Sequence, residues 1–280
     1  MSDRELLERV EERARAWGVG VENILETQSS LVAFGRRGNQ PVVLKVVRQP
    51  GDEWRSGEAL EAFGGEGTVR VYEYVGGAVL LERLSPATPL TVMALNGDDD
   101  KATGVLAEVI RKMSRARKSP EAWVTVDDWG RGFDRYLAGN DNQIPKELAE
   151  QGGRVYARLC ASQKSLRLLH GDLQHYNVLF DYERGWVSID PKGVVGEVEY
   201  EIGASLRNPC EKPELFASLE SVERRLRRYE ARLKIDSRRA LEWGFAQAVL
   251  SAVWSVEDGF PVNASNPSLM LANAIRPVIE

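Results

Sequence analysis

HGDLQHYN, residues 170–177, is the most informative segment of the chain, and Asp190 follows thirteen positions after Asn177. Phosphoryl transfer needs a carboxylate that orients the attacking hydroxyl and takes its proton, together with oxygen ligands that hold Mg²⁺ on the phosphates. Asp172 fits the first role, and Asn177 with Asp190 fits the second. An Asp and an Asn at this spacing are by themselves ordinary turn residues, but the His-Gly prefix and the run Ile189-Asp190-Pro191 favour a catalytic loop.

Before this segment the chain is predicted to form one helix and then a small sheet. Apolar residues at helical spacing predict a helix over residues 4–17. Short β-branched runs and turn residues then predict strands 21–26, 30–35 and 41–47, a helix over 52–63, and strands 68–75 and 77–82. This order indicates an α+β fold whose antiparallel sheet carries one inserted helix, rather than a parallel doubly wound sheet.

The remainder of the chain is mostly helical. The predicted helices cover residues 103–117, 126–137, 145–163, 213–233, 237–254 and 267–279. A hairpin of two short apolar strands, 177–180 and 186–189, interrupts them. We expect the boundary between the β-rich part and the helical part near Leu84–Pro89, which gives two lobes of residues 1–84 and 85–280.

Composition excludes several classes of protein. The 280 residues carry a net charge of −5, with no dominant basic stripe, which argues against nucleic-acid binding. No apolar run approaches membrane-spanning length, and the start of the chain lacks the apolar core of a secretion signal. The 2 cysteines are too few for a disulfide framework and are typical of buried thiols in a reducing compartment. We therefore expect a cytoplasmic monomer that binds neither nucleic acid nor membrane.

The segment from His170 to Val198 resembles the aminoglycoside phosphotransferase family, and within it the branch of streptomycin 6-phosphotransferases and hydroxyurea kinases. The motifs that carry the resemblance are His-Gly-Asp-Leu-x-His-x-Asn, Arg-Gly-Trp, Ile-Asp-Pro-x-Gly and Val-Gly-Glu-Val. The resemblance implies a two-lobed protein-kinase-like fold, with ATP and Mg²⁺ between a small β lobe and a larger helical lobe. It makes Asp172 the catalytic base and Asn177 and Asp190 the magnesium ligands.

The resemblance also implies a lysine on the third strand, and Lys45 stands in the apolar run VVLKVV, residues 42–47. A buried ammonium group needs a partner, because its desolvation is costly. In kinases this lysine bridges the α- and β-phosphates and a glutamate from the following helix. Glu53 and Glu58 both compete for that position, and we prefer Glu53 because its spacing to Leu60 matches the family's helix.

Two further segments are expected to contact the nucleotide. Between the first two strands, Ser29 and Ser30 stand where protein kinases have a glycine-rich loop, and their backbone and hydroxyl groups can bond phosphate oxygens. An ordinary serine turn explains the same residues equally well. The backbone of Glu82–Leu84, which joins the two lobes, is expected to face the adenine.

The acceptor is expected to bind the helical lobe. A cationic, hydroxyl-rich aminoglycoside such as streptomycin needs carboxylates beside Asp172 and an aromatic surface. Ordinary core and surface residues remain an alternative explanation for the candidates, which are Glu197, Glu199, Glu201, Trp254, Glu257 and Asp258. Glu199 and Glu201 replace residues that are commonly small in the branch, so the substrate can differ.

Other functions fit the sequence less well. A kinase for hydroxyurea or another small metabolite keeps the same chemistry with a different acceptor. A protein kinase is disfavoured because the chain has His-Gly-Asp and lacks an Ala-Pro-Glu segment. A nucleotide-binding pseudokinase that acts as an interaction module would be favoured by the loss of Lys45, Asp172 or Asp190, all of which are present. His170 and His175 do not have zinc-ligand spacing, and we expect His170 to orient the loop.

Overall fold

The computed structural model describes residues 3–114 and 123–279 and confirms the predicted α+β class. Its first part is a five-stranded antiparallel sheet in the order β1-β2-β3-β5-β4. The elements of this part are α1 (Asp3–Ala16), β1 (Val19–Glu26), β2 (Ser30–Arg37), β3 (Gln40–Val47), α2 (Ser56–Phe63), β4 (Val71–Val75) and β5 (Ala78–Glu82).

Helix α1 covers one face of this sheet because its apolar residues recur at helical spacing. Leu6, Val10 and Ala14 are buried against the sheet together with Leu44 and Leu80. The predicted helix over 52–63 is divided, since a 3₁₀ turn over Asp52–Arg55 precedes α2. The turn and α2 lie after β3, and this arrangement brings their residues towards the strand that carries Lys45.

The second part is helical, with two small sheets. Its elements are β6 (Pro86–Pro89), α3 (Thr91–Leu95), α4 (Asp99–Met113), α5 (Val126–Ala138), α6 (Lys146–Ala161), β7 (Arg167–Leu169), β8 (Val178–Asp181), β9 (Gly185–Ser188), β10 (Val194–Gly196), α7 (Val198–Glu201), α8 (Gly203–Leu206), α9 (Leu219–Leu233), α10 (Ser237–Glu257) and α11 (Pro267–Ile275). Strands β6, β8 and β9 form one sheet, and β7 pairs with β10. No helix within residues 3–114 or 123–279 combines the length and apolar character that a membrane span requires.

The sequence missed several short elements. Strand β6 contains two prolines, which usually argue against a strand, but it lies at a sheet edge and pairs only with β8. The predicted helix over 213–233 is a 3₁₀ turn at Pro213–Leu215 followed by α9, which Ser218 caps. Residues 115–117 of the predicted helix over 103–117 lie outside the described residues. Cys210 is exposed rather than buried. The division into lobes of 1–84 and 85–280 stays a prediction.

Candidate active site

The catalytic-type loop lies between β7 and β8, and its two polar side chains are in contact. The amide nitrogen of Asn177 donates to Asp172 Oδ2 over 3.1 Å and to the Asp172 carbonyl over 2.9 Å. Burial raises the pKa of Asp172, and the charges of Lys192 and Arg207 oppose that rise. Because the nitrogen of Asn177 points to Asp172, its side-chain oxygen is the atom that can bind a metal ion.

His170 connects this loop to the segment that ends in Asp190. It is fully buried, its Nε2 lies 2.8 Å from the carbonyl of Ile189, and its Nδ1 accepts from the backbone N–H of Asp172 over 3.3 Å. These partners assign the proton to Nε2. Burial lowers the pKa of His170 to about 4, so the ring is neutral near pH 7. His170 therefore fixes the distance between the loop and Asp190, and it is not a metal ligand.

Lys45 lies between two carboxylates at the inner end of the sheet. Its Nζ is 2.8 Å from Glu53 Oε2 and 2.9 Å from Asp190 Oδ1, and its side chain is 6% exposed. Burial lowers the pKa of Lys45, but the charges of Asp190 and Glu53 outweigh that effect and raise it. Glu58 pairs with Arg55 instead. Lys45 is therefore a permanent cation, and Glu53 is the glutamate that pairs with it.

The oxygen donors near Asp190 fit Mg²⁺. Asp190 contacts Lys45 through Oδ1 and Asn177 contacts Asp172 through its nitrogen, which leaves Asp190 Oδ2 and the side-chain oxygen of Asn177 as hard oxygen donors. Two protein oxygens, with phosphate and water completing the shell, are the arrangement that Mg²⁺ usually takes at phosphate sites. Asp190 has a φ of 57°, a left-handed conformation that costs a non-glycine residue about 1–2 kcal/mol.

A cavity of about 270 Å³ opens between the five-stranded sheet and the β8–β9 hairpin. Lys45 and Asp190 line its inner end, and its walls are mostly apolar. The apolar wall residues include Val32, Val43, Leu81, Leu84, Leu179 and Ile189. Such walls suit a flat heteroaromatic ring, and a negatively charged group attached to that ring would be attracted to Lys45.

The two predicted serines are placed differently. Ser29 Oγ lies 3.3 Å from both carboxylate oxygens of Glu53, at the end of the Lys45 cluster. Ser30 is buried, and its hydroxyl lies 2.8 Å from the hydroxyl of Thr27. Ser30 therefore closes the turn, and the prediction that its hydroxyl faces phosphate is wrong. Thr27, which the sequence analysis missed, lines the cavity.

The segment Glu82–Leu84 lines the cavity as well, but the side chain of Glu82 is directed elsewhere. Its carboxylate accepts from the backbone N–H of Arg70 over 2.8 Å and pairs with Arg184 of the β8–β9 turn. Leu84 is nearly buried and contributes an apolar surface. Glu82 thus joins the five-stranded sheet to the hairpin through its side chain, and its backbone N–H donates to the Arg70 carbonyl over 3.0 Å.

Glu201, predicted to contact the acceptor, lies beneath the catalytic-type loop. It is 2% exposed, and its two carboxylate oxygens accept from the backbone N–H groups of His170 over 2.6 Å and Gly171 over 3.0 Å. Burial raises its pKa to about 7 despite these hydrogen bonds. The prediction of an acceptor contact is wrong for Glu201, because both oxygens are used to hold the loop.

Glu197 and Glu199 also lie away from Asp172. Glu197 is buried and accepts from the indole N–H of Trp243 and from Arg239. Glu199 accepts from the backbone N–H of Asp236 over 3.3 Å, at the start of α10. Both residues line a separate cleft that is rich in arginine and lysine. Glu197, Glu199 and Glu201 are therefore all bound to protein donors and do not form the predicted acceptor surface beside Asp172.

Trp254 and Glu257 lie near the C-terminal end of α10. The ring of Trp254 packs edge-on against Trp129 with 5.5 Å between centroids, and Trp129 in turn packs against Gly171. Glu257 forms an ion pair with Arg135 over 2.8 Å and is exposed. Trp254 is thus connected to the loop through one aromatic ring, whereas Glu257 already has a cationic partner.

The charged groups closest to Asp172 on this side are cations that the sequence analysis did not single out. Lys192 and Arg207 lower the pKa of Asp172 through their charges, while Glu53 raises it. Arg207 is fixed by hydrogen bonds to the Gly203 carbonyl over 3.0 Å and to Gln247 over 2.9 Å. Lys192 follows Asp190 by two positions, a spacing that offered a signal, whereas Arg207 approaches only through the packing of α8 against α10.

Comparisons of the sequence with known proteins agree with this geometry. A family model described as aminoglycoside/hydroxyurea antibiotic resistance kinase matches residues 18–259. Streptomycin 3''-kinase from Klebsiella pneumoniae is 32% identical over 240 residues, covering 84% of this chain and 88% of the relative. Hydroxyurea phosphotransferase from Kitasatospora aureofaciens is 30% identical over 278 residues, covering 90% and 73% of the two chains.

Solved structures share the fold at low sequence identity. A thermostable mutant of aminoglycoside phosphotransferase APH(4)-Ia, in a ternary complex with ADP and hygromycin B, superimposes with a TM-score of 0.67 at 14% identity, covering 96% of this chain and 97% of that one. Choline kinase LicA from Streptococcus pneumoniae gives a TM-score of 0.66 at 15% identity, covering 96% of this chain and 98% of that one. The predicted kinase-like fold is therefore confirmed.

Proposed function

The chain belongs to the family of aminoglycoside/hydroxyurea antibiotic resistance kinases and is a small-molecule O-phosphotransferase, and we propose that it transfers the γ-phosphoryl group of ATP to a hydroxyl of a streptomycin-like aminoglycoside. The observation that supports this most directly is that His170 links two polar sets, since its ring contacts the Ile189 carbonyl next to Asp190 and the backbone N–H of Asp172. Lys45, paired with Glu53 and Asp190, forms one set, and Asp172 with Asn177 forms the other.

In this proposal each group has one task. Lys45 neutralises the α- and β-phosphates, and Glu53 keeps its ammonium in place. Asp172 accepts a hydrogen bond from the acceptor hydroxyl and takes its proton as the new bond to phosphorus forms. Mg²⁺, held by Asn177 and Asp190 when it is bound, would neutralise charge on the phosphates. Because the transition state is loose, positioning and charge stabilisation supply most of the acceleration.

Streptomycin is the first acceptor to test because the relative of 32% identity is a streptomycin kinase and Trp254 offers an aromatic surface near the loop. Hydroxyurea is the second candidate. One observation favours it, since the cations Lys192 and Arg207 flank Asp172 where a cationic acceptor would need carboxylates. We place the reaction in the cytoplasm, where ATP is available and the free thiols Cys160 and Cys210 stay reduced.

The test is a coupled assay of ATP consumption by the purified chain with streptomycin, with hydroxyurea and without acceptor. We expect turnover that depends on streptomycin and on Mg²⁺, and a product heavier than streptomycin by one phosphoryl group in mass spectrometry. Lys45→Met, which loses the cation at the phosphates, provides the inactive control. Turnover with hydroxyurea alone would select the second candidate, and no turnover above the acceptor-free rate with either compound would reject both.

A further inference from the structure

Trp123 lies where the segment around α2 meets the segment that follows Asp190. A Cβ atom added at Gly193 would lie 2.8 Å from Trp123 Cζ3 and 3.0 Å from the Cβ of Ala59, so the indole, the glycine and α2 are in close contact. On the same ring, the guanidinium of Arg55 lies 4.4 Å from the centroid. Trp123 is partly buried and packs against the core of the helical part.

The residues that contact this indole are neighbours in the chain of Glu53 and Asp190, the two partners of Lys45. Arg55 belongs to the same 3₁₀ turn as Glu53, the partner of Lys45. Gly193 has a φ of 75°, and its N–H and that of Lys192 both donate to the carbonyl of His170, over 3.2 and 2.8 Å. Trp123 therefore touches both the turn that carries Glu53 and the backbone that joins Asp190 to the catalytic-type loop.

The 3₁₀ turn also contacts the five-stranded sheet, through Trp54. The ring of Trp54 packs against the β4–β5 turn so closely that a Cβ at Gly77 would lie 2.3 Å from it. The N–H of Gly77 also donates to the Trp54 carbonyl over 3.0 Å. The 3₁₀ turn that carries Glu53 thus contacts the five-stranded sheet through Trp54 and contacts Trp123 of the helical part through Arg55.

We propose that Trp123 is a positioning residue for phosphoryl transfer. Its indole, in contact with Arg55 of the 3₁₀ turn and with Gly193 of the segment after Asp190, holds Glu53 at Lys45 and sets that pair against Asp190. The proposal rests on the nucleotide-binding roles proposed above for Lys45 and Asp190. Without the indole the 3₁₀ turn is free to move from Gly193, Glu53 withdraws from Lys45, and Lys45 turns towards Asp190. The phosphates then lose a correctly placed cation, while the acceptor site is unaffected.

The first experiment compares Trp123→Ala, Trp123→Phe and Trp17→Ala, each verified as folded by circular dichroism and thermal unfolding. Trp17 directly follows α1, is partly buried against the core between α1 and the five-stranded sheet, and serves as a matched control for lost apolar contact. We expect Trp123→Ala to lower kcat/KM for MgATP about 10- to 100-fold, because small displacements of catalytic groups cost rates of this size. The acceptor KM should change less than about twofold. Trp123→Phe should recover most of the loss, and Trp17→Ala should retain kcat/KM.

A second experiment asks whether the effect passes through Lys45, using calorimetric binding of Mg²⁺-AMP-PNP, which needs no acceptor. Trp123→Ala should weaken binding about 10-fold in the parent and less than about twofold in the Lys45→Met background. Equal weakening in both backgrounds, or equal kinetic losses in Trp123→Ala and Trp17→Ala, would overturn the proposal. If Lys45→Met alone leaves binding unchanged, the proposed nucleotide site itself fails, and this inference fails with it.

A third pair of variants covers the case in which Trp123→Ala does not fold. Arg55→Gln removes the cation from the indole, while Glu58→Gln removes only its ion-pair partner and leaves Arg55 over the ring. We expect Arg55→Gln to lower kcat/KM for MgATP by a few-fold and Glu58→Gln to leave it unchanged, since a cation–π contact contributes about 0.5–2 kcal/mol. The reverse order would contradict the proposal.

Discussion

The two sides of Asp172 use acidic residues in opposite ways. On the cavity side, Glu53 and Asp190 surround Lys45, and Lys45 and Asp190 line a cavity into which a ligand can enter. On the helical side, Glu197 and Glu201 are buried, and they bind an arginine, an indole N–H and two backbone N–H groups. The first set remains available to a ligand, and the second holds the protein together.

This difference shows that a carboxylate near a catalytic loop has no fixed role. Its use depends on whether its oxygens are already satisfied by buried donors, because a buried carboxylate without partners is costly. Glu201 has two backbone donors and no remaining reason to face a ligand. Asp190 pairs with Lys45 through one oxygen, and its other oxygen is the one proposed above as a magnesium ligand.

The largest expected effect concerns Asp172 itself. Asp172→Asn keeps the shape but removes the base, so kcat should fall about 10²- to 10⁴-fold, the usual range for loss of general-base catalysis. Calorimetric affinity for Mg²⁺-AMP-PNP should stay within about twofold. Asp181→Asn, a carboxylate of the β8–β9 hairpin that caps backbone N–H groups, serves as the control for a lost aspartate. Near-native turnover in Asp172→Asn would remove this residue from the mechanism.

The next effect is a pH dependence of stability that comes from Glu201. Its pKa is raised by burial to about 7 in the folded protein, above the usual value of 4.5. The folded state therefore binds a proton more tightly than the unfolded state, and stability falls as pH rises from about 4.5 to 7. This rise in pKa corresponds to a loss of roughly 3 kcal/mol in the free energy of unfolding across that pH range, since the group is fully buried.

Denaturant unfolding of the parent and of Glu201→Gln, at several pH values between 4 and 8, measures this contribution. The free-energy difference between the two proteins should shift in favour of the variant as pH rises, since glutamine does not titrate. A difference that stays constant across the range would contradict the buried, pKa-raised carboxylate.

A smaller effect, on rate, separates the two possible roles of Glu201. If Glu201 holds the loop in place, Glu201→Gln at pH 8 should lower kcat about 10- to 100-fold, because Asp172 is then misplaced. The acceptor KM should stay within about twofold, and Glu201→Asp should recover part of the loss. A raised acceptor KM with unchanged kcat would instead return Glu201 to the acceptor site.

The smallest effect is expected at Glu257, a predicted acceptor carboxylate at the end of α10 that is exposed and already paired. Its ion pair with Arg135 is worth about 0.2–1 kcal/mol, as for other exposed pairs. Glu257→Gln should therefore change the streptomycin KM less than about threefold, with Arg135→Gln as the matched control. A rise above tenfold in Glu257→Gln alone, diminishing at high salt, would show that Glu257 exchanges Arg135 for a cationic acceptor.

The sequence predicted the cavity side well because its residues follow local rules. Lys45 is a single charge in an apolar strand, and Asp172, Asn177 and Asp190 have fixed spacings around one hairpin. The choice of Glu53 over Glu58 followed from helical spacing, although the 3₁₀ turn that carries Glu53 was not foreseen.

The helical side could not be predicted in the same way, because its contacts join residues far apart in the chain. Glu197 meets Trp243 and Arg239 only when α10 packs beside the β10–α7 connection, and Trp123 meets Arg55 only when α2 is in place. Spacing in the sequence carries no signal for such pairs. Thr27 and Ser30 show the same limit at short range, since these two hydroxyl residues lie three positions apart in one turn and differ only in burial.

The contact between Lys45 and Asp190 also bears on how the resting protein treats divalent cations. An ammonium group already balances one oxygen of Asp190, so this carboxylate does not depend on a metal counter-ion for charge compensation. We therefore expect the melting temperature to be the same in a chelator as in millimolar magnesium. We also expect free Mg²⁺ to bind weakly. The ion and the nucleotide should therefore bind together, as a preformed complex, rather than one after the other.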